Sequence, residues 1–347
     1  MIDAREAKKI ASNFSNELGF VNRAALEIGE QRNTLEIIPE IGFCHFHHRR
    51  DRQTTIYSLA VRKEHQLQGW GRLLFYRVLC SAIENNCDRI VAKCPEELSS
   101  NGFYQKLGFK LIKIEPGRKR SLNCWQYNIV LPLLFYCGGG GASRYDAIAH
   151  KENWLLGMRS CGRWKARQHM AMIDNHWKNY NHEHHLKIVR QQKPLIATAF
   201  DIEQPEQLLT VLKQASELAR FCGRVLLIPK CKVPIPRQYW IGFSVPTSYG
   251  GTTIECNWFG DRLIHLLGGS PDAQAHYARH LNVVSLDGNY ACKIARWGKS
   301  CWQGNNGGIK AIDGNYSAFR LSLEKQKKYW HQDWHWSEEP LFKFLNN

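Results

Sequence analysis

The chain reads as an α/β protein of two domains, and three observations carry that reading. Its 347 residues are too many for one small domain and comfortable for two. In the first half, an alternating apolar segment feeds a glycine loop that opens an amphipathic run. In the second half, short apolar segments without strict alternation are separated by helix-length stretches. Such segments are strands buried on both faces, as in a parallel sheet or barrel.

Composition narrows the function classes. Hydrophobic residues make up 44% of the chain, enough for real cores, and no run of eighteen apolar residues predicts a membrane span. The N-terminus, MIDAREAKK, carries no signal-peptide pattern. Twelve cysteines are scattered without a CxxC, which fits reduced thiols in a cytoplasm. The net charge of +16 fits a polyanionic partner or, more simply, solubility. Twelve tryptophans and thirteen tyrosines interleaved with that charge favour nucleic acid, DNA ahead of RNA. Oligomeric state is not encoded in any visible pattern.

In chain order, residues 4–18 read as a helix with Ala4, Ile10, Phe14 and Leu18 along one side, and 23–37 as a second, closed by Pro39. Residues 41–46 alternate as a strand, and RRDR at 49–52 is a basic turn. His45, His47 and His48 form a solvated or substrate-facing stretch in preference to a metal cluster. The strand over 54–61 delivers Gln66-x-x-Gly69-x-Gly71, and a helix begins with Leu73, Leu74, Val78 and Ile83 on one face. Glycines at a helix N-terminus let backbone amides approach an anion. Residues 89–93 make a further strand, followed by Asn101-Gly-Phe-Tyr104-Gln-Lys-Leu-Gly108-Phe109.

The glycine loop resembles the Gln/Arg-x-x-Gly-x-Gly/Ala pyrophosphate loop of the GNAT N-acetyltransferases. The later segment resembles their Asn-x-x-x-Phe/Tyr-Tyr-x-Lys-x-Gly-Phe helix, about 35 residues on. That resemblance implies a GNAT fold, a mixed sheet with flanking helices, and acetyl-CoA or another acyl-CoA as cofactor. It places Gln66, Gln68, Gly69, Trp70, Gly71 and Arg72 on the pyrophosphate. It also sets Ser58, Leu59, Ala60 and Val61 along the pantetheine arm, and Asn101 beside the cofactor. Tyr104 becomes the candidate general acid, with plain packing as its alternative. No general base stands out.

Cys137 and the four glycines at 138–141 read as a strand end and a tight loop suited to phosphate, with the domain boundary expected at residue 133 (domains 1–133 and 134–347). Beyond it, strands are expected at 154–158, 171–173, 195–200, 224–228, 239–243, 263–267 and 283–286, with helices over 206–222 and 271–281. Polar residues follow the strand ends at Asp174, Asn175, Asp201, Lys230, Ser244, Gly268, Gly269, Asp287 and Asn289. That is where such folds carry their chemistry.

Met172-Ile-Asp174-Asn175, His265-Leu-Leu-Gly268-Gly269-Ser-Pro271 and Val284-Ser-Leu-Asp287 together resemble the tRNA-guanine transglycosylases, of the phage or bacterial type. The likeness implies a TIM-type barrel, possibly truncated given the length, in which Asp287 attacks a sugar C1′ and Asp174 moves protons at the base. Asn175, Asp201, Ser244, Gly268, Gly269 and Asn289 would then line the substrate. That family's zinc-binding cysteines are missing, so no metal is expected. Asp174 and Asp287 have an alternative as turn or cap residues. His176, His182, His184 and His185 read as an exposed loop, and the aromatic tail at 329–336 as a packed helix or a base-stacking segment. The expected protein is a cytoplasmic enzyme joining an acyltransferase to a transglycosylase-like or glycosylase-like barrel that acts on a base in DNA or RNA. Its alternative is an acyltransferase whose barrel merely binds nucleic acid.

Overall fold

The computed structural model describes residues 2–117, 120–138, 143–161, 168–248, 250–298, 300–304, 308–310 and 314–333. Two compact units divide the chain, Met1–Val130 and Leu131–Asn347.

The first unit opens with α1 (Ile2–Ser12), α2 (Ser15–Leu18) and α3 (Arg23–Gln31). Ala4, Ala7, Ile10, Ala11 and Phe14 bury one face against Leu26, Phe43 and Ala60. The sequence predicts one helix over 4–18 and another over 23–37, and both end early. The chain breaks after Ser12, and Asn33 turns at φ 53° into β1 (Leu35–Ile38). The apolar run Leu35-Glu-Ile-Ile38 supplies β-branched side chains, which suit a pleated surface. β2 (Gly42–His48) and β3 (Gln53–Val61) follow as a hairpin, then α4 (Trp70–Glu84), β4 (Arg89–Pro95), α5 (Asn101–Lys106), β5 (Lys110–Glu115) and β6 (Leu122–Asn128). The sheet order is β1-β2-β3-β4-β6-β5. All its pairs are antiparallel except β3 with β4. That mixed sheet carries α4 against β1, β2, β3 and β4, with Leu73, Leu74, Val78 and Leu79 fully or almost fully buried.

The second unit is a closed barrel. Its strands are β7 (Leu133–Cys137), β8 (Leu155–Arg159), β9 (Met172–Asp174), β10 (Ile196–Ile202), β11 (Arg224–Pro229), β12 (Trp240–Ser244), β13 (Ile264–Leu267) and β14 (Val283–Gly288). Every neighbouring pair is parallel, and β14 closes on β7. The expectation of truncation is therefore corrected. All eight strands are present, and the economy lies in the connections. α6 (Arg144–Lys151), α7 (His182–Gln192), α8 (Leu208–Ala219) and α9 (Pro271–Ala278) cross between strands, and α10 (Tyr290–Gly298) follows β14. Among the described residues, no α-helix follows β8, β11 or β12. The small ribbon β15 (Ser300–Trp302) and β16 (Gly308–Lys310) leads to α11 (Asn315–Lys328), and the next turn, Tyr329–Asp333, seats Trp330 fully in the core.

Alternation sorts the strand residues. Leu134, Tyr136, Leu156, Val225, Ile241 and Leu266 join the core shared with the helices. Phe135, Leu226 and His265 are equally buried outside that core and turn into the barrel. Among the described residues, no helix is long and apolar enough to cross a membrane. All twelve cysteines are free thiols, and Cys161 is the exposed one among the described residues.

Gly42 starts β2 where a Cβ would lie 2.5 Å from the Ala60 carbonyl oxygen and 3.2 Å from Val61 Cα. A backbone contact cannot swing aside, so Gly42→Ala should destabilise the first unit by about 1–3 kcal/mol. A lower urea midpoint for its unfolding checks this.

Candidate functional site

The first unit's site begins where β3 runs out of partners. β2 pairs with β3 from His48↔Thr54 to Gly42↔Val61, but β4 pairs with it only from Gln53↔Arg89 to Ile56↔Ala92. Past Ile56, among the described residues, no strand lies against the other edge of Ser58, Leu59, Ala60 and Val61. An open edge of this kind offers peptide N–H and C=O groups to an extended chain of amides.

The chain then turns through the glycine loop. Gln66 Nε2 donates to the Val61 carbonyl at 2.9 Å, and Gln68 Nε2 to the Glu64 carbonyl at 2.9 Å. These side chains brace the loop from within. Gly69 sits at φ 85° as the N-cap of α4, a conformation that favours glycine. The Leu73 amide donates to the Gly69 carbonyl, so the Trp70, Gly71 and Arg72 amides precede the helical ladder at its positive end. A Cβ on Gly71 would come within 3.1 Å of the Phe103 ring. Arg72 Nε is buried without a hydrogen-bond partner, and burial lowers the guanidinium's pKa. The donor set fits a pyrophosphate.

One expected cofactor residue serves the scaffold. Asn101 Nδ2 donates to the Pro95, Glu96 and Leu98 carbonyls, while its Oδ1 accepts from Asn123 Nδ2 and Trp125 Nε1. Its capacity is spent. Direct contact with a cofactor gives way to locking the β4–α5 turn. The Tyr104 ring packs among Phe103, Phe109 and Trp125, and burial raises its phenol well above 10. It keeps its proton at neutral pH.

The histidines divide. His48 is held by Thr54 and Ser81, at 2.9 and 3.0 Å. His45 and His47 line a groove of about 480 Å³ beside Ser58. No metal-holding cluster of histidine, cysteine and carboxylate side chains occurs among the described residues.

The second site is the barrel rim. Cys137, Arg159, Asp174, Ser244 and Asp287 all stand at or next to the C-terminal ends of their strands, and Asp201 lies near the end of β10. Asp287 Oδ1 accepts from the Gly268 amide at 3.0 Å and lies 3.4 Å from His265 Nε2. His265 Nδ1 is 2.8 Å from Ser285 Oγ, and both residues are fully buried. Burial alone would raise the Asp287 carboxyl. Hydrogen bonds from His265, the Gly268 amide and Cys137, with attraction to His265, outweigh it and hold Asp287 below the usual carboxylate range.

Asp174 is pushed the other way. Burial first, and then the charge of Asp287, raise it to about 7 against the pull of Arg159 and Thr198. Thr198 Oγ1 donates to Asp174 Oδ1 at 3.0 Å, and Arg159 Nε stands 3.6 Å from Oδ2. Asp201 pairs with Lys230 at 3.6 Å. One carboxyl that keeps a proton beside one that stays ionised is an acid–base division of labour.

Not every expected rim residue faces the mouth. Asn175 is buried and donates to the Ala199 carbonyl at 2.6 Å, so it ties β9 to β10 and is removed from the substrate surface. Gly268 (φ 66°) and Gly269 (φ 83°) form the turn that aims an amide at Asp287. Asn289 is exposed beyond β14, and Ser244 is partly exposed. The His176–His185 stretch is not a loop throughout. His182 begins α7, and His185 is buried between Ser160 Oγ at 2.7 Å and the Thr198 carbonyl at 2.9 Å. His265 was not singled out as a site residue. Its place two register steps from Asp287 on the neighbouring strand is the only signal of its role. The phosphate reading of the glycine run at 138–141 falls on residues that, past Gly138, lie outside the described ones, as do Trp334 and Trp336 of the aromatic tail.

The family model of the acetyltransferase (GNAT) family matches residues 30–109, and the N-terminal region is a GNAT acetyltransferase domain. A family of unknown function (DUF6610) matches residues 149–331, more than half of the chain, and the chain belongs to that family. No curated protein matches the sequence. Among solved structures, Ard1 from Thermoplasma volcanium aligns at 17% identity over 37% of this chain and 91% of its own, with a TM-score of 0.34. The ribosomal-protein-S18-alanine N-acetyltransferase from Escherichia coli aligns at 16% identity over 37% and 89%, with a TM-score of 0.31. A Bacillus subtilis acetyltransferase in complex with CoA aligns at 16% identity over 30% and 84%, with a TM-score of 0.25.

A carboxyl raised from 3.8 to about 7 contributes stability below pH 4 that is lost as pH rises towards 7, because the unfolded chain ionises first. Asp174→Asn should therefore match the parent below pH 4 and exceed its stability above pH 7, by on the order of 4 kcal/mol. Urea midpoints of the barrel across that range check the sign.

Proposed function

We propose that the N-terminal domain is a CoA-dependent N-acyltransferase and that the barrel carries out glycosidic-bond chemistry on a nucleobase. The observation that carries the first assignment is the open edge of β3 running straight into the glycine loop. The edge of Ser58–Val61 suits the paired amides of pantetheine. The Trp70, Gly71 and Arg72 amides with the Arg72 guanidinium suit the pyrophosphate. Acyl-CoA supplies the thioester, and the Tyr104 phenol protonates the departing thiolate.

The split between Asp174 and Asp287 favours the second assignment. Asp287 is ionised and fixed by Gly268 and His265, as a nucleophile at a sugar carbon requires, and Asp174 holds a proton for the base. A net charge of +16 supports a nucleic-acid substrate.

Calorimetric titration with acetyl-CoA tests the first assignment. The parent should bind, and Gly69→Glu/Gly71→Glu should lose binding at least a hundredfold, because a carboxylate enters the anion cradle. Asp287→Asn should abolish base release or exchange while keeping oligonucleotide affinity within twofold. If no base chemistry is found in parent or variant while affinity stays high, the barrel is a binding platform.

A further inference from the structure

The groove beside β3 has no assigned occupant, and its chemistry is legible. It is walled by Leu18, Phe20, Val21 and Ile28 from the helical hairpin and by Tyr57 from β3. Phe20, Ile28 and Tyr57 are exposed at 88, 48 and 60%. Isolated exposed apolar residues are ordinary, but three of them facing one concave surface of this size are the mark of a small-molecule site. The lining contains no carboxylate. Its charged or titratable members are Arg32, His45, His47 and Tyr57.

Two polar groups among the groove-lining residues are unspent. Ser58 is 6% exposed, and its hydroxyl is buried with no hydrogen-bond partner. His45 lies opposite it in the β2–β3 register and lines the same groove. No hydrogen bond engages its imidazole among the described residues. The ring is fixed by packing instead. It lies 5.4 Å from the Tyr57 ring centroid, and a Cβ on Gly29 would touch it at 2.9 Å. The helix therefore needs glycine there to leave the ring its place. Ser58 is also the first residue of the open edge proposed to hold the pantetheine, so His45 stands next to the end of the arm.

We propose that His45 is the catalytic base of the acyltransferase and that the acceptor is a primary amine carried on an apolar, aromatic body. This rests on the acyltransferase reading above and names its acceptor. The amine nitrogen attacks the thioester carbonyl, forming the C–N bond as the C–S bond breaks. A ring nitrogen of His45 takes the proton that the amine loses, and the CoA thiolate takes one in turn, so amine and acyl-CoA become amide and free CoA. Burial, and then the nearby His47, lower the His45 pKa from 6.5, so the imidazole is free to accept a proton at neutral pH. The groups around it agree. Arg32 just past α3 is a cation, His47 on β2 an imidazole and Tyr57 on β3 a phenol, and Glu36 on β1 is engaged with Arg77 at 3.6 Å. With no carboxylate to attract them, polycationic acceptors are disfavoured, and the aromatic walls favour a stacked ring.

The test uses the full chain with acetyl-CoA and two probes, tryptamine and spermidine, reading thiol release. Tryptamine should be acetylated at least tenfold more efficiently than spermidine. His45→Gln should lower kcat about a hundredfold with little change in KM and acetyl-CoA affinity within twofold. The acidic limb of the kcat/KM profile should vanish with it. Phe20→Asp, at the far wall, should raise the tryptamine KM and leave kcat close to the parent value. Preference for spermidine, or no turnover of tryptamine by a parent that binds acetyl-CoA, overturns the acceptor class. An unchanged kcat or pH profile in His45→Gln overturns the base. Failure of the parent to bind acetyl-CoA overturns the underlying acyltransferase reading instead, and the two failures are told apart by the calorimetric titration alone.

Discussion

Closing eight parallel strands on one another forces every strand to end on the same rim, and the second unit's chemistry depends on that constraint. Parallel pairing leaves no choice of direction. Residues 137, 159, 174, 244 and 287 are separated by up to 150 positions in sequence, yet all come to or near the same end. Apart from His265, the strands carry mainly apolar or small side chains inward and polar ones at the end, so the dry interior becomes the floor of a polar mouth. Desolvation at that floor acts on two chemically identical carboxyls. One has a backbone amide and a histidine aimed at it and stays ionised. The other has a hydroxyl and a distant guanidinium, and burial prevails.

A different constraint governs the first unit. Its single parallel pair, β3 with β4, is joined for four residues and then parts. The unpaired half of β3 is thereby held in register by β2 alone, extended and unable to collapse. Partial pairing would be a liability on an isolated sheet edge. Inside a cleft it is a preformed receptor for anything with spaced amides.

Much of this was legible in sequence. All eight barrel strands were visible because buried parallel strands carry continuous apolar runs, and the rim residues because polarity switches on where each run stops. The glycine loop was legible because few other residues adopt the conformation of Gly69. What escaped detection depends on partners remote in sequence. β5 and β6 were not anticipated, and the second helix was extended through what is β1, since Leu35-Glu-Ile-Ile38 satisfies either periodicity over four residues. The length argument against a full barrel failed because it assumed a helix in every crossover. His265 and the saturation of Asn101 required knowing which strand lies beside which. Neither Gly29 under an imidazole nor Cys137 beside Asp287 leaves a local trace.

The thiol inventory carries a practical consequence. Eleven of the twelve cysteines are buried or partly covered, and Cys137, against Asp287, is held firmly as a thiol. Cys161 alone is exposed among the described residues, two positions beyond Arg159 at the barrel mouth. A maleimide dye offered briefly at neutral pH would thus attach chiefly at one native position. It would give a fluorescent reporter at the barrel rim without engineering a cysteine, and its emission would change as something enters the mouth.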